Sequence, residues 1–355
     1  MVRDGGDAGV EGEAGAGGDS LAAPHAACAP ATGYTAVAWP EADALFRREP
    51  RWLGGDAAYS VELAPGRILW LFGDSFIAKT DAHVRSASTL VRNSVAIQTG
   101  TDPTTSTIAF HWRDTDGTAA SFFPEEGARW FWPVHGARIG GELVLFLTEV
   151  ERVDGGLGFD TVGSRMVRIA NPDASPLDWS IATRTLPRDG RSHGVGVVRA
   201  GDFLYSLTRE HRTAHAVELE RWSAGALDGD SSFWNGSAFG PAASSVSIWT
   251  DGAPEMSTAA RCGEWINVES VGFGATDLAI RRARSLAGPW SDAVKVFQPE
   301  ESRREKPFVY AGKHHPGLTG ADIVTTYVAN SFDFADLFAD TTLYYPRFVK
   351  ITEQR

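Results

Sequence analysis

Two cysteines and three methionines in 355 residues leave no material for a disulfide-rich scaffold or a thiolate cluster. Cys28 and Cys262 have no metal-ligand spacing, and a bridge between them is open on sequence grounds alone. No stretch approaches the roughly 18–20 apolar residues that a membrane-spanning helix needs. Basic residues are outnumbered, 33 Lys and Arg against 45 Asp and Glu, for a net charge of −12. With no basic run to neutralise phosphates, a nucleic-acid partner is excluded. The HExxH, GxSxG, Walker-type and GxGxxG patterns are missing. So is the Ser-x-Asp-x-Gly-x-x-Trp box common in sialidase-type propellers. These absences argue against zinc proteases, serine hydrolases and nucleotide-binding enzymes. No cofactor is called for, and a structural Ca²⁺ stays open.

What the chain does hold is aromatic and turn-forming. Twelve Trp within an 11% aromatic content can fill a large core, and 38 Gly among strand-type runs point to an all-β protein. Residues 1–33 instead read as a disordered Gly/Ala/Asp-rich linker. That segment has no apolar core of a signal peptide as written. Linkers of this composition often follow a secretion or lipid-anchor segment. The expected location is therefore secreted or cell-surface anchored, with the cytoplasm as the alternative.

From residue 34 to 355 the chain repeats itself. Five segments pair two apolar strands across a glycine turn, at Gly66, Gly141, Gly201, Gly263 and Gly320, roughly sixty residues apart. That period suits one four-stranded antiparallel blade, and five of them make a five-bladed β-propeller. RNSVAIQTG and STIAFHWR complete the first unit. SRMVRIAN with WSIATRTLP, and DLAIRRARS with WSDAVKVFQ, complete the second and fourth. The fifth has only LYYPRFVKIT after its hairpin, so GYTAVAWPE near the start is expected to supply the outer strand and close the ring. A β-sandwich, or two small β-domains, is the competing architecture.

In such a ring, polar groups at blade entrances converge on one mouth. WLGGDAAYSVEL sets Asp56 before the first inner strand, and LFGDSF sets Asp74 after its partner. Because the hairpin doubles back, both acids return to one end. Two carboxyls at one mouth are what glycoside hydrolysis needs, one protonated and one ionised. Each Gly-Asp alone is also ordinary turn chemistry. Glu149 sits at the same offset in the second unit as Asp74 in the first, and Glu255 precedes the fourth inner strand. Arg92 and Asn93 are candidates to orient a carboxylate or bind sugar hydroxyls, against a plain solvated strand start. Trp132 and His135 in WFWPVHG, His193, His315 and Asn330 complete the candidate substrate contacts. For Trp132 the competing role is core packing, and for a lone His a structural bond.

GGDAAYSVEL, RILWLFGDSF, VRNSVAIQ, WPVHG and the late HPGL, TTYVANS and YYPRF resemble a bacterial family long known only as a domain of unknown function. Some of its members are endo-D-arabinanases, glycoside hydrolases of the D-arabinofuranose chains of mycobacterial arabinogalactan and lipoarabinomannan. RRARSLAGPWS is also similar to a segment of furanosidase propellers acting on arabinans and fructans. The resemblance covers most of residues 40–350 and implies a five-bladed propeller. It also implies an inverting aspartate pair matching Asp56 and Asp74, read here with Asp74 as acid and Asp56 as base. The expected partner is a furanoside polysaccharide or oligosaccharide. A non-catalytic cell-surface propeller that only binds carbohydrate is the alternative, and a lyase or phosphorylase a third. Arg92, Arg138 and Arg209 gathered at the mouth would favour the phosphorylase.

Overall fold

The computed structural model describes residues 21–24, 28–211, 215–272, 276–318, 320 and 322–355. It is a five-bladed β-propeller, and all five expected hairpins form. Each blade's inner strand packs on the inner strands of its two neighbours, so the five close a ring. They are Trp52–Ala64, Arg129–Ile139, Arg191–Ala200, Met256–Arg261 and Phe308–His314, in blades 1 to 5. Their hairpin partners are Arg67–Ala78, Glu142–Arg152, Phe203–Glu210, Glu264–Val271 and Ile323–Asn330. Third and outer strands follow in antiparallel order in every blade. Blade 1 gains a short strand, Ser88–Val91, against the far half of Arg67–Ala78.

Blade 5 is completed as the sequence suggests. Gly33–Ala38 pairs antiparallel with Pro346–Gln354, Gly33 opposite Gln354 and Ala38 opposite Val349. A strand near the start of the chain and the last strand thus share one sheet, which closes the ring. Blades adhere through their apolar faces. Leu143 to Leu147 of blade 2 and Tyr59, Leu69 and Leu71 of blade 1 lie in one buried cluster, and Phe46, Trp52, Trp70, Phe72 and Phe348 build another between blades 1 and 5. Each such side chain contributes about 1.5–3 kcal/mol by burial, which is why strands hydrophobic on both faces recur in the inner positions.

The tail differs from the expected linker. Its first twenty residues and 25–27 lie outside the described residues, but Leu21–Pro24 run along blade 4. Ala23 N–H donates to the Arg284 carbonyl, and Trp265 Nε1 donates to the Leu21 carbonyl at 2.8 Å. Cys28 is bonded to Cys262, 234 residues away, in the hairpin turn of blade 4. The bridge ties the segment feeding the outer strand of blade 5 to blade 4, and so anchors the strand whose pairing closes the ring. A cross-link over so long a loop is worth on the order of 2–5 kcal/mol. Reduction, or Cys262→Ser, is expected to lower Tm by roughly 4–10 °C. Scanning calorimetry with and without reductant checks this, and an unchanged Tm would mean that strand pairing alone closes the ring.

Candidate active site

Asp56 and Asp74 were expected just outside their strands, yet both lie inside them. The blade 1 hairpin pairs regularly from Glu62 to Tyr59 and is irregular beyond. Between the Ala57–Phe72 and Gly55–Ser75 pairs, Asp56 on one strand faces Gly73 and Asp74 on the other, none of them in register. Ala58 is the extra residue of the next step, and Ala57 and Ala58 both take left-handed backbone, φ 62° and 59°. Consecutive left-handed residues with side chains are rare and cost energy. Here they turn the strand so that Asp56 faces the mouth while Tyr59 enters the axis.

Gly73 shows how closely the acids are set. A Cβ there would lie 2.3 Å from Asp56 Oδ1 and 3.6 Å from the Trp132 ring. The space belongs to the carboxyl group. Gly54 is equally constrained, since its Cβ would meet the Tyr344 carbonyl oxygen at 2.4 Å. Arg85 braces this corner, donating to the Leu53, Leu337 and Leu343 carbonyls at 2.7, 2.8 and 2.6 Å.

The two acids have different partners. Asp56 Oδ2 accepts from the hydroxyls of Tyr310 at 2.6 Å and Tyr344 at 3.1 Å. Asn330 Nδ2 donates to the Tyr310 hydroxyl at 3.0 Å. Asp74 Oδ1 accepts from Trp132 Nε1 at 2.8 Å, and its Oδ2 pairs with Arg92 at 3.1 Å. Burial and the Asp74 charge push Asp56 up to about 7, with Glu255 adding to the rise and the two tyrosine hydroxyls opposing it. Burial also raises Asp74 above its ordinary value, and the Arg92 guanidinium and the Trp132 hydrogen bond limit that rise. One carboxyl has neutral donors and the other a cation.

Glu255 joins them from blade 4 through a residue that sequence reasoning passed over. Lys313 is only 1% exposed, and its ammonium donates to Glu255 Oε2 at 2.6 Å and to the Ala311 carbonyl at 2.9 Å. It also lies 4.4 Å above the Tyr59 ring. Burial lowers its pKa, and the Glu255 carboxylate opposes that. Tyr59 itself donates to the Val195 carbonyl and accepts from Met256 N–H, at 3.1 and 3.3 Å, and stacks on His135. Tyr310, Tyr344 and Lys313 went unnoticed because alternation does not reach them. Ala311 is left-handed at φ 62°, and the pairing shifts between Tyr310 and Lys313, so the side-chain alternation slips.

Of the residues singled out in sequence, Asp56, Asp74, Arg92, Trp132, Glu255 and Asn330 come together. The others are held in the core instead. Asn93 is fully buried and bonds the Phe123 and Phe131 backbones. His135 accepts from Val197 N–H at 2.9 Å, and burial lowers it to about 4. His315 lies between Ser60 and Thr326 at 2.8 and 2.7 Å and is kept neutral by burial. His193 meets Glu220 at 2.7 Å. Burial works against its charge, but the Glu220 and Asp189 carboxylates outweigh it and raise it to about 10. Glu149 is fully buried among Arg129, Arg165 and Arg188. The arginines whose gathering would favour a phosphorylase have separate partners, Arg92 being paired with Asp74. Arg138 bonds Leu63 and Asp173 at the hairpin-turn end, and Arg209 the Gly252 carbonyl. Among the described residues, no three His, Cys, Asp or Glu side chains are grouped to hold a metal ion, and no helix is long and apolar enough to cross a membrane.

A family profile, Domain of unknown function (DUF5005), matches residues 41–354. The chain belongs to this family. No curated protein matches the sequence. The DUF5005 chain is similar in structure to a protein of Bacteroides ovatus provisionally assigned as a hydrolase, with TM-score 0.73, 16% identity and 90% of each chain covered. It is also similar to an exo-β-1,3-galactanase from Phanerochaete chrysosporium, at TM-score 0.50 and 12% identity, over 84% of this chain and 60% of that one. An α-L-arabinanase from Cellvibrio cellulosa overlaps at TM-score 0.42 and 10% identity, over 83% of this chain and 91% of that one, too remote to bear on the site. At these identities the likeness is one of fold, a propeller shared with glycoside hydrolases.

The raised Asp56 pKa has a consequence for stability with a definite sign. A carboxyl whose folded pKa, about 7, exceeds its ordinary 3.8 favours folding while protonated. That contribution is complete below the ordinary value and is lost as pH rises through the folded one. Asp56→Asn in this DUF5005 protein is therefore expected to raise Tm at pH 8 and to leave it near wild type at pH 4. Thermal melts across that range check it. A constant offset at every pH would show that Asp56 carries its charge without penalty.

Proposed function

We propose that the protein is a glycoside hydrolase of a furanoside polysaccharide, D-arabinan foremost, working through Asp56 and Asp74. The observation that carries this is the pair itself, two interacting carboxyls on one hairpin that burial raises together but that differ in partners, neutral hydroxyls at Asp56 against a guanidinium at Asp74. Such divergence marks acid and base roles. It also reverses the order read from sequence. Asp56, among neutral donors and raised to about 7, is the general acid, and Asp74, ion-paired with Arg92, is the base. In the inverting reaction that the family resemblance implies, Asp56 gives its proton to the glycosidic oxygen as the anomeric C–O bond breaks. Asp74 takes a proton from the water that attacks the opposite face, so the proton count closes. Glu255 and Lys313 set the charge beside Asp56, and Trp132 and Arg92 hold Asp74. The Cys28–Cys262 bridge supports an oxidising, extracytoplasmic location.

A screen of D-arabinan, L-arabinan, galactan and fructan, with products sized by chromatography, tests the activity. Binding without product after long incubation would favour the binding-only propeller. The roles separate through variants. Loss of the acid in Asp56→Asn should cost roughly 10²–10⁴-fold on polysaccharide, and much less on an aryl furanoside with an activated leaving group. Asp74→Asn should lose both activities and regain rate with azide. If azide instead restores Asp56→Asn, the assignment is reversed.

A further inference from the structure

Most large apolar rings in this protein are buried, but three phenylalanines on one short segment are not. Phe332, Phe334 and Phe338 are 60, 50 and 40% exposed. They follow Asn330 directly, on the turn into and along the helix Phe334–Ala339. Two series of ring contacts tie them to the carboxyl end of Asp56. In the first, Phe332 stacks on Phe308 at 4.2 Å and 18°, and Phe308 stacks on Tyr310 at 5.4 Å and 25°. The Tyr310 hydroxyl is the one that donates to Asp56. In the second, Phe334 and Phe338 pack edge-on against Phe76, at 6.1 and 6.2 Å. Phe76 packs on Tyr344 at 5.5 Å, and Tyr344 is the other donor to Asp56. Both paths leave one carboxyl and surface on one segment.

We propose that segment 331–339 is a binding wall for the sugar residues next to the cleaved bond, which places the substrate as a neutral chain of several sugars. Three features argue for this occupant. The wall is continuous with the candidate catalytic pair. Its flanking charges are already consumed in pairs, Lys306 with Asp336 at 2.6 Å and Arg304 with Asp340 at 2.9 Å, so it offers an ionic ligand little. The segment is also held in shape before any ligand arrives. Asp333 caps the helix by accepting from Ala335 N–H at 2.8 Å, and Ser331 Oγ donates to Asp336 at 2.9 Å. Ring faces fixed in advance suit the flat C–H faces of sugars, because little ordering entropy is lost on binding.

The inference rests on the hydrolase reading but fails separately from it. Phe332→Ala and Phe334→Ala are compared with wild type on the polysaccharide cleaved in the screen, on its oligosaccharides, and on the p-nitrophenyl glycoside of the same sugar. Retardation in gels containing each of the four polysaccharides gives binding independently of cleavage. The variants should keep the wild-type Tm, and their loss in kcat/KM should grow with chain length, smallest on the p-nitrophenyl glycoside and about tenfold or more on the polysaccharide. Phe332→Tyr should restore the long-chain rate. Equal losses on every substrate, or none, would overturn the wall. If the wild type is retarded but cleaves nothing, the hydrolase reading falls, and the wall stands if Phe332→Ala abolishes retardation and falls if it does not. If no polysaccharide is retarded or cleaved, both fall.

Discussion

The site depends on a backbone conformation at two alanines. Ala57 and Ala58 hold left-handed φ values in the middle of an inner strand, at a cost on the order of 1–3 kcal/mol each. Without that kink the strand would alternate normally, and Asp56 and Tyr59 would lie on opposite faces of a flat blade. With it, Asp56 reaches the mouth and Tyr59 plugs the axis. Tyr59 then touches every other blade, at His135, Val195, Met256 and Lys313. The residue that locks the ring together is therefore three positions from the one that faces the mouth. Strain in blade 1 is offset by packing that spans the whole propeller.

Around Asp56 the same pattern recurs in blade 5. Ala311 and Tyr344 are also left-handed, and Gly54 must lack a side chain to let the Tyr344 backbone approach. Arg85 spends its guanidinium on main-chain carbonyls rather than on a carboxylate. A buried cation so used stabilises a loop whose carbonyls would otherwise go unsatisfied. These devices do not add apolar burial. They place two hydroxyls on one carboxyl oxygen, which makes them costly for stability and useful for chemistry.

The electrostatics follow from that placement. Burial and the Asp74 charge raise Asp56, whose donors are neutral, while Arg92 favours the charged form of Asp74 against the burial that raises it. Lys313 and Glu255 form a nearly dry pair whose removal on one side alone would strand a buried charge. The causes of these shifts are burial and neighbouring groups rather than the net charge of −12. A few local partners decide the protonation states, because charges at hydrogen-bond range in a buried site outweigh distant screened ones.

The fold was legible in the chain because its signals are local and repeated. Turn glycines at Gly66, Gly141, Gly201, Gly263 and Gly320, with apolar strands on either side, mark blades whatever their neighbours do, and GYTAVAWPE was the run left over to close them. The two acids of blade 1 were legible because one hairpin carries both. Asn93, His135, His193 and His315 were misplaced at the mouth, since sequence position marks a blade entrance but not the face on which a side chain turns. Tyr310, Tyr344 and Lys313 were missed for a related reason. A bulge at Ala311 slips the alternation, and Tyr344 reaches Asp56 from a connection 288 residues away. Which acid holds the proton was likewise beyond the sequence, because it is set by groups from blades 1, 2, 4 and 5 meeting at one point. Local periodicity determined the ring and its acids. Only the closure of that ring, which brings distant donors within hydrogen-bond reach, decided what each acid can do.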